Sequence, residues 1–287
     1  MKIVRLGMTE SSLLFLTYAS KHLDLNPNIK QNISKMILQL VNWLYTTSGY
    51  YDKTVKGTKF NFDHSAVNFN FSRFIDHLRM SVAECHESQF YFHEGMIKQL
   101  FDIYKEQFIS HFKIDNFVLL NDTKFSTRMP SIYNHISNKR VLVVSAFDGI
   151  IKSQYTSGNV FNLGINFPQI QSLDVVKFPY CFLNNGPHNN YFETLEYIFE
   201  QIKEKSNDFD IVLLGCGSYG HMLTHKIHTD LNKDAIYIGG CITNLFGILS
   251  TREMKYTDLK SNEFWITNIP DEYKPENYKA IEDGCYW

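Results

Sequence analysis

The sequence predicts an α/β protein with a doubly wound, mainly parallel, Rossmann-like sheet and an N-terminal helical elaboration. Two observations support this prediction. Short apolar runs alternate with helical patterns from residue 139 onward, and one run ends in the motif G-x-G-x-x-G. Strands of parallel sheets are near-continuous apolar runs because helices cover both of their faces. A chain of 287 residues with 44% hydrophobic residues is also long and apolar enough for a sizeable core.

Residues 1–138 have mainly helical patterns. Apolar residues at three- and four-residue spacing predict helices over about 10–23, 33–45 and 93–112. The stretch Asn26–Asn28 contains a proline and separates the first two helices. Val67, Phe69 and Phe71 alternate with asparagines, a period that predicts a half-buried strand.

Residues 139–287 alternate strand and helix patterns, and we interpret residues 1–287 as a single domain. The predicted strands are Arg140–Ser145, Leu173–Phe178, Ile211–Leu214 and Ala235–Ile238. The predicted helices pass through Ile150 and Ile151 and then cover Tyr191–Lys203 and His221–Leu231. Ligands of doubly wound sheets bind beyond the carboxyl ends of the strands. We therefore expect the loops of Ser145, Gly215 and Gly239 to lie at one edge and share a site.

Composition excludes several classes of function. The net charge is −2 and there is no dense Lys/Arg block, so the sequence has no footprint of nucleic-acid binding. No apolar run approaches the roughly 20 residues that a membrane span needs. The five cysteines are far apart and form no C-x-x-C, which favours reduced thiols and a cytoplasmic location.

The glycine motif follows a predicted strand and opens a predicted helix. The motif residues are Gly215, Gly217 and Gly220, with Ser218 and Tyr219 between them. Missing side chains let backbone N–H groups approach a phosphate, and a helix N-terminus adds partial positive charge. The alternative is that the glycines only permit a tight turn from strand to helix.

Two common ligands of such a motif are disfavoured. Dinucleotide folds and many methyltransferases hold the ribose with an acidic residue about 20 positions later, at the end of the next strand. That strand ends in Tyr237-Ile238-Gly239-Gly240, without a carboxylate. We therefore expect a phosphate ligand here, but not NAD.

Histidines and cysteines give weak metal signals. His221, His225 and His228 share one helix face, but Met222 stands where a zinc protease motif has its glutamate. Cys85, His86 and His93 match no ligand spacing known to us. A polar helix face is the default interpretation of the first set.

Four sequence blocks in residues 139–287 resemble the GT-D-fold glycosyltransferases and their GT-D-like relatives. The blocks are Val143–Phe147 with Gln154, the loop Gly215–Gly220, Gly239–Gly240 with Leu245–Ile248 and Arg252, and the ending Glu282–Trp287. They occur in the family's order and are fairly specific together. Ala146 stands where the family has proline.

The first half resembles the family less. GT-D enzymes have an R-F-G-D-G-E segment whose D-x-E binds the cation that accompanies the donor diphosphate. Arg73, Phe74 and Asp76 are similar to that segment, but Leu78 replaces the glutamate. A D-x-L cannot provide two carboxylate ligands, so dependence on Mn²⁺ or Mg²⁺ is in doubt. An ordinary core helix is the alternative interpretation.

The resemblance implies a glycosyltransferase that moves a sugar from a nucleotide-sugar donor, a UDP-sugar by expectation, to a glycan hydroxyl. The candidates for taking the acceptor proton are Asp76, Asp148, Glu282 and His221. The candidates for donor binding are Arg73, Ser145, Phe147, Gly215, Gly217, Ser218, Tyr219, Gly220, Gly239, Gly240 and Arg252. Phe246, Tyr286 and Trp287 either stack on the ligand or pack in the core. The alternatives are an S-adenosylmethionine-dependent methyltransferase and a non-catalytic protein that binds nucleotides or glycans.

Overall fold

The computed structural model describes residues 1–53, 64–120, 125–183, 185–256 and 259–287. Its strands are β1 Lys2–Leu6, β2 Glu87–Phe90, β3 Phe117–Leu119, β4 Arg140–Ser145, β5 Ser172–Lys177, β6 Ile211–Gly215 and β7 Asp234–Tyr237. Its helices are α1 Met8–His22, α2 Pro27–Thr47, α3 His64–Val82, α4 Met96–Phe112, α5 Phe125–Ile136, α6 Asp148–Thr156, α7 Tyr191–Glu204, α8 Gly220–Leu231, α9 Cys241–Leu245 and α10 Thr251–Tyr256.

The seven strands form one open sheet in the order β3-β2-β1-β7-β6-β4-β5, and every described pair is parallel. The prediction of an α/β protein with a parallel sheet is confirmed, and the topology fits a Rossmann-like fold. All four strands predicted after residue 139 are present.

The first half of the chain contributes more than helices. It supplies β1, β2 and β3, and β1 lies between β2 and β7 in the middle of the sheet. The strand predicted at Val67–Phe71 is wrong, because this stretch lies within α3. Beyond Phe71 the buried residues Phe74, Leu78 and Val82 follow at three- and four-residue spacing, and this helical period wins over the short alternation.

Apolar side chains cover the sheet on both faces in two separate clusters. On one face, here the α1 face, Val144, Val212 and Leu214 pack with α1–α4, α7 and α8. On the other, here the α6 face, Val143 and Leu213 pack with α5, α6 and α9. Successive residues of a strand point to opposite faces, so an unbroken apolar run fills both clusters.

Asparagine side chains begin two of the helices that the sequence predicts. The Asn26 side chain accepts from the amide of Ile29 over 2.9 Å, and Pro27 occupies the first helical position of α2. The Asn190 side chain accepts from the first amides of α7 over 3.0 and 3.1 Å. A cap of this kind contributes about 1 kcal/mol. None of the described helices is long and apolar enough to cross a membrane.

Candidate functional site

All strands point the same way, so their carboxyl ends meet at one edge of the sheet, here the carboxyl edge. Ser145 lies opposite Gly215 in the β4–β6 register. The amides of Ile238 and Gly239 donate to the carbonyl of Leu214 over 3.1 and 3.3 Å. The expectation that the loops of Ser145, Gly215 and Gly239 lie at one edge is therefore confirmed.

The chain leaves β4 and β6 towards opposite faces. After β4 it enters α6 and moves outward to β5, whereas after β6 it enters α8 on the α1 face and moves inward to β7. Between adjacent parallel strands whose connections diverge in this way a crevice opens, and ligands of doubly wound folds bind there. Ser145 and Gly215 mark its position.

Each glycine of the G-x-G-x-x-G loop has a structural reason of its own. Gly217 has φ +56°, in the left-handed region, and it is exposed. A Cβ on Gly215 would overlap Ile242, and a Cβ on Gly220 would overlap the ring of Tyr237. Two of the three glycines are thus explained by close packing and the third by its turn.

The backbone donors of the loop bond within the protein. The Ser218 amide donates to the carbonyl of Ser48, and the Tyr219 amide to that of Cys216, both over 3.3 Å. The Tyr219 hydroxyl donates to the carbonyl of Gly49 over 2.9 Å. Segment 48–51 therefore lies against the loop, and Ser218 and Tyr219 are fully buried. Of the loop residues proposed for donor binding, Gly217 alone is fully exposed.

His221 is buried at the start of α8, below the glycine loop. Its ring packs edge-on against Phe74 at 5.5 Å, and neither ring nitrogen has a hydrogen-bond partner among the described residues. Burial lowers the pKa of His221 to about 3, so the ring is neutral. The other histidines of this helix face have different neighbours: His225 contacts Lys2 and His228 contacts the carbonyl of Lys233. In the part of the chain that the structure describes, no group of three or more His, Cys, Asp or Glu side chains could hold a metal.

The block after β4 lies at the crevice. The Ser145 hydroxyl accepts from the amide of Phe147 over 3.2 Å, which fixes the turn into α6. Asp148 is the first residue of α6 and is partly exposed. Phe147 packs against Tyr273, and the Tyr273 hydroxyl lies against the backbone of Ile150 and Gly149 at the start of α6.

The end of the chain reaches the same edge. The Trp287 indole donates to the Tyr180 hydroxyl over 3.2 Å, and Tyr180 follows β5. That hydroxyl in turn donates to the Tyr273 carbonyl over 2.6 Å. Burial raises the pKa of Tyr180 to about 12, so it remains a hydroxyl donor. The ending Glu282–Trp287 thus lies beside the start of α6, where Asp148 is located.

Arg252 and Glu282 belong to one hydrogen-bonded network. Arg252 Nη1 donates to the Tyr286 hydroxyl over 2.8 Å, and that hydroxyl donates to Glu282 Oε1 over 3.1 Å. Arg252 and Glu282 also form an ion pair at 3.8 Å, and the Arg252 amide donates to the Cys285 carbonyl over 2.8 Å. The network joins α10 to the chain ending. Phe246, in contrast, is buried and packs against Phe167 in the core.

Arg73 and Asp76 lie elsewhere, exposed on α3. The Arg73 guanidinium stacks on the Phe192 ring with 3.7 Å to its centroid. Arg73 and Phe192 line an open groove of about 630 Å³ beside the start of α7. Glu193 and Tyr197 also line this groove. The structure therefore brings Ser145, Phe147, Asp148, Arg252 and Glu282 towards one part of the carboxyl edge, and Arg73, Asp76 and His221 to the α1 face.

Two residues at the carboxyl edge were missed by the sequence analysis. Arg5 lies near the end of β1, and Glu10 lies in the first turn of α1. The only sequence signal was a pair of charges in an apolar context, K-I-V-R-L-G-M-T-E, which no motif connects to the glycine loop.

The comparisons with known proteins give no relative. No protein-family model matches the chain, and neither a curated protein nor a solved structure is significantly similar to it.

Proposed function

We propose that this protein is a glycosyltransferase that moves a sugar from a nucleotide-sugar donor, a UDP-sugar, to a hydroxyl of a glycan acceptor. The observation that supports the proposal most is the crevice between β4 and β6. Ser145 and Gly215 lie opposite each other there, and the loops around them belong to the blocks that resemble GT-D enzymes. Open parallel sheets bind nucleotides in such crevices.

The charge of the leaving diphosphate is stabilised by cationic groups at the carboxyl edge. Arg252 is the cation contributed by the resembling blocks, and its guanidinium is held in place by Tyr286 and Glu282. A guanidinium fixed in this way makes charge-assisted hydrogen bonds to phosphate oxygens without having to be ordered first. Glu282 therefore has a positioning role.

Asp148 is the group that takes the acceptor proton. It lies directly after β4 and is partly exposed, whereas His221 is buried and Asp76 lies on the α1 face. A general base must come within hydrogen-bond reach of the hydroxyl that it deprotonates. Glu282 is also partly exposed at this edge, but it is bonded to Tyr286 and paired with Arg252, so Asp148 is the candidate left for this role.

Thermal-shift screening tests the proposed function. UDP and UDP-sugars, each with and without Mn²⁺, are compared with S-adenosylmethionine at matched concentrations. A ligand at 100 times its Kd stabilises the folded state by about 2.7 kcal/mol, which is measurable as a higher Tm. Stabilisation by UDP-sugars followed by transfer or slow hydrolysis supports the proposal.

Two results contradict the proposal. Stabilisation by S-adenosylmethionine alone indicates a methyltransferase. Stabilisation by nucleotide-sugars without turnover on any acceptor, and without hydrolysis, indicates a binding protein.

A further inference from the structure

The junction between β1 and β7 is a second place where chain connections diverge. After β1 the chain enters α1 on the α1 face, and after β7 it enters α9 on the α6 face. The two strands are adjacent and parallel. The junction is therefore a crevice of the same kind as that between β4 and β6.

Arg5 projects its guanidinium over this junction. A Cβ on Gly239 would lie only 2.6 Å from Arg5 Nη1, so the guanidinium rests directly on the glycine at the end of β7. Gly239 also has φ +59°, a conformation that favours glycine. Both facts indicate that the end of β7 is shaped around the Arg5 side chain.

The Arg5 guanidinium lacks the partners that such a group needs. Within the part of the chain that the structure describes, its Nε is buried with no hydrogen-bond acceptor, and no carboxylate forms an ion pair with it. A buried donor without a partner costs about 1 to 3 kcal/mol. The terminal nitrogens of Arg5 are not among the buried atoms and have no hydrogen bond to the described residues, so they are the donors that a ligand would reach.

Glu10 is an acidic residue that interacts electrostatically with Arg5. It is buried in the first turn of α1, and burial raises its pKa, although Arg5 and the backbone of Gly7 oppose this shift. Among the described residues no hydrogen bond or ion pair joins Glu10 to Arg5, so Glu10 does not occupy the guanidinium donors.

The turn that follows β7 is open at Gly240, although the Tyr237 ring lies near Gly239. A Cβ on Gly240 would meet no atom within 4 Å. Gly217, at the end of the neighbouring β6, is also exposed. The turn at Gly240 therefore has room beside it for a tetrahedral oxyanion.

We propose that Arg5 and the Gly239–Gly240 turn form an oxyanion site that binds a phosphate group, and that this group belongs to the diphosphate of the donor. The second part rests on the proposed function. From β4 to β1 the carboxyl edge spans three strand spacings, about 14 Å, so an extended nucleotide-sugar reaches from one crevice to the other.

Calorimetric titration with inorganic pyrophosphate tests the site without depending on sugar transfer. Wild-type protein binds pyrophosphate, and Arg5→Gln weakens the affinity at least tenfold, because a charge-assisted hydrogen bond is worth about 1.5 to 3 kcal/mol. Arg79→Gln, an exposed arginine on α3, is the matched control and leaves the affinity unchanged.

Thermal unfolding of each variant confirms that the fold is retained. If Arg5→Gln does not fold, Arg5→Lys replaces it: the charge stays but the planar donors are lost, and the affinity falls about threefold to tenfold. Failure of the wild type to bind pyrophosphate, or equal affinity in the folded Arg5 variant, overturns the site. Binding through Arg5 without turnover of any nucleotide-sugar preserves the site and contradicts the glycosyltransferase function. Turnover of a nucleotide-sugar that does not depend on Arg5 supports the glycosyltransferase function and contradicts the assignment of the site to the donor diphosphate.

Discussion

The two edges of the sheet differ in how far their charged side chains are paired within the protein. At the amino edge, where the strands begin, Asp234 bonds both Lys139 and the Met1 amino group at 2.5 Å. Asp210 likewise bonds the side chain and the backbone amide of Arg140. At the carboxyl edge the Arg5 Nε has no partner among the described residues. Charges at the first edge are neutralised within the protein. At the second edge Arg252 is paired with Glu282, but Arg5 forms no ion pair with a described residue.

Asp148→Asn gives the largest expected effect and tests the functional side of this comparison. Removing the general base lowers turnover of the donor by about 10²- to 10⁴-fold, while calorimetry shows UDP affinity changed by less than about threefold. Asp271→Asn, at an almost fully exposed carboxylate in the C-terminal segment, is the control. Equal turnover in the wild type and Asp148→Asn would remove Asp148 from the mechanism.

Two glycines at the carboxyl edge are expected to differ in how much stability an alanine substitution costs. Gly220 and Gly240 both have right-handed helical φ and ψ, so alanine fits either backbone. Gly220→Ala places a Cβ against the Tyr237 ring, 2.8 Å from Cγ and nearer to two other ring atoms, and costs about 2 to 3 kcal/mol. Gly240→Ala meets open space and changes stability by less than about 0.5 kcal/mol.

Urea denaturation of both glycine variants measures this difference. Similar free energies of unfolding for the two would mean that the glycine loop is not held by close packing.

The exposed Gly217 needs a different substitution. Gly217→Val does not test donor binding, because a β-branched residue at φ +56° strains the fold itself. Gly217→Asn tolerates that conformation and tests the exposed position cleanly.

The amino edge predicts a smaller, pH-dependent effect. The hydrogen bonds from Arg140 lower the pKa of Asp210 to about 2, below the unfolded value of about 3.9. Ionised Asp210 therefore stabilises the fold above about pH 4, and this contribution is lost as the pH falls towards 2. Because 37% of the side chain is exposed, screening limits the contribution to about 0.5 to 1 kcal/mol.

Urea denaturation of wild type and Asp210→Asn between pH 2 and pH 7 tests this assignment. The difference in unfolding free energy is present at neutral pH and disappears at the acidic end. A difference in unfolding free energy that stays constant with pH would mean that the ion pair contributes nothing. As a control, the pyrophosphate affinity of Asp210→Asn equals that of the wild type, because Asp210 lies at the opposite edge of the sheet.

Chelation is expected to have the smallest effect. Leu78, which replaces the family's glutamate, is a buried core residue of α3, and Asp76 lies exposed on the same helix. Without the second carboxylate, EDTA lowers turnover by less than about twofold. Complete loss with full recovery on adding Mn²⁺ contradicts this expectation.

The second half of the fold was predictable because its strands are strongly apolar. β4 and β6 are buried on both faces, and their runs stand out from the helices around them. β2 has the polar sequence ESQF and β3 has three residues, so neither gives a periodic signal. Pairing of β2 with β1, and of β3 with β2, supplies the order that their sequences do not predict.

The site was predictable only where its residues belong to recognisable blocks. The loops of Ser145, Gly215 and Gly239 could be placed at one edge because each follows an apolar strand of the predicted parallel sheet. Segment 48–51, which covers the glycine loop, contacts Tyr219 from 170 residues away along the chain. Contacts of that range leave no local pattern, and for the same reason Arg5 could not be connected with Gly239.

The central position of β1 has a consequence for how the chain folds. Ile3 lies opposite Ile236, a separation of 233 residues, and on its other side opposite Glu87. Closing so long a loop is entropically costly, and folds dominated by such distant contacts form slowly. Until β7 arrives, β1 is an unpaired apolar edge that can pair with other chains. We therefore expect the refolding yield to fall as the protein concentration rises. Pairing of β7 with β1 covers this edge and prevents its pairing with other chains.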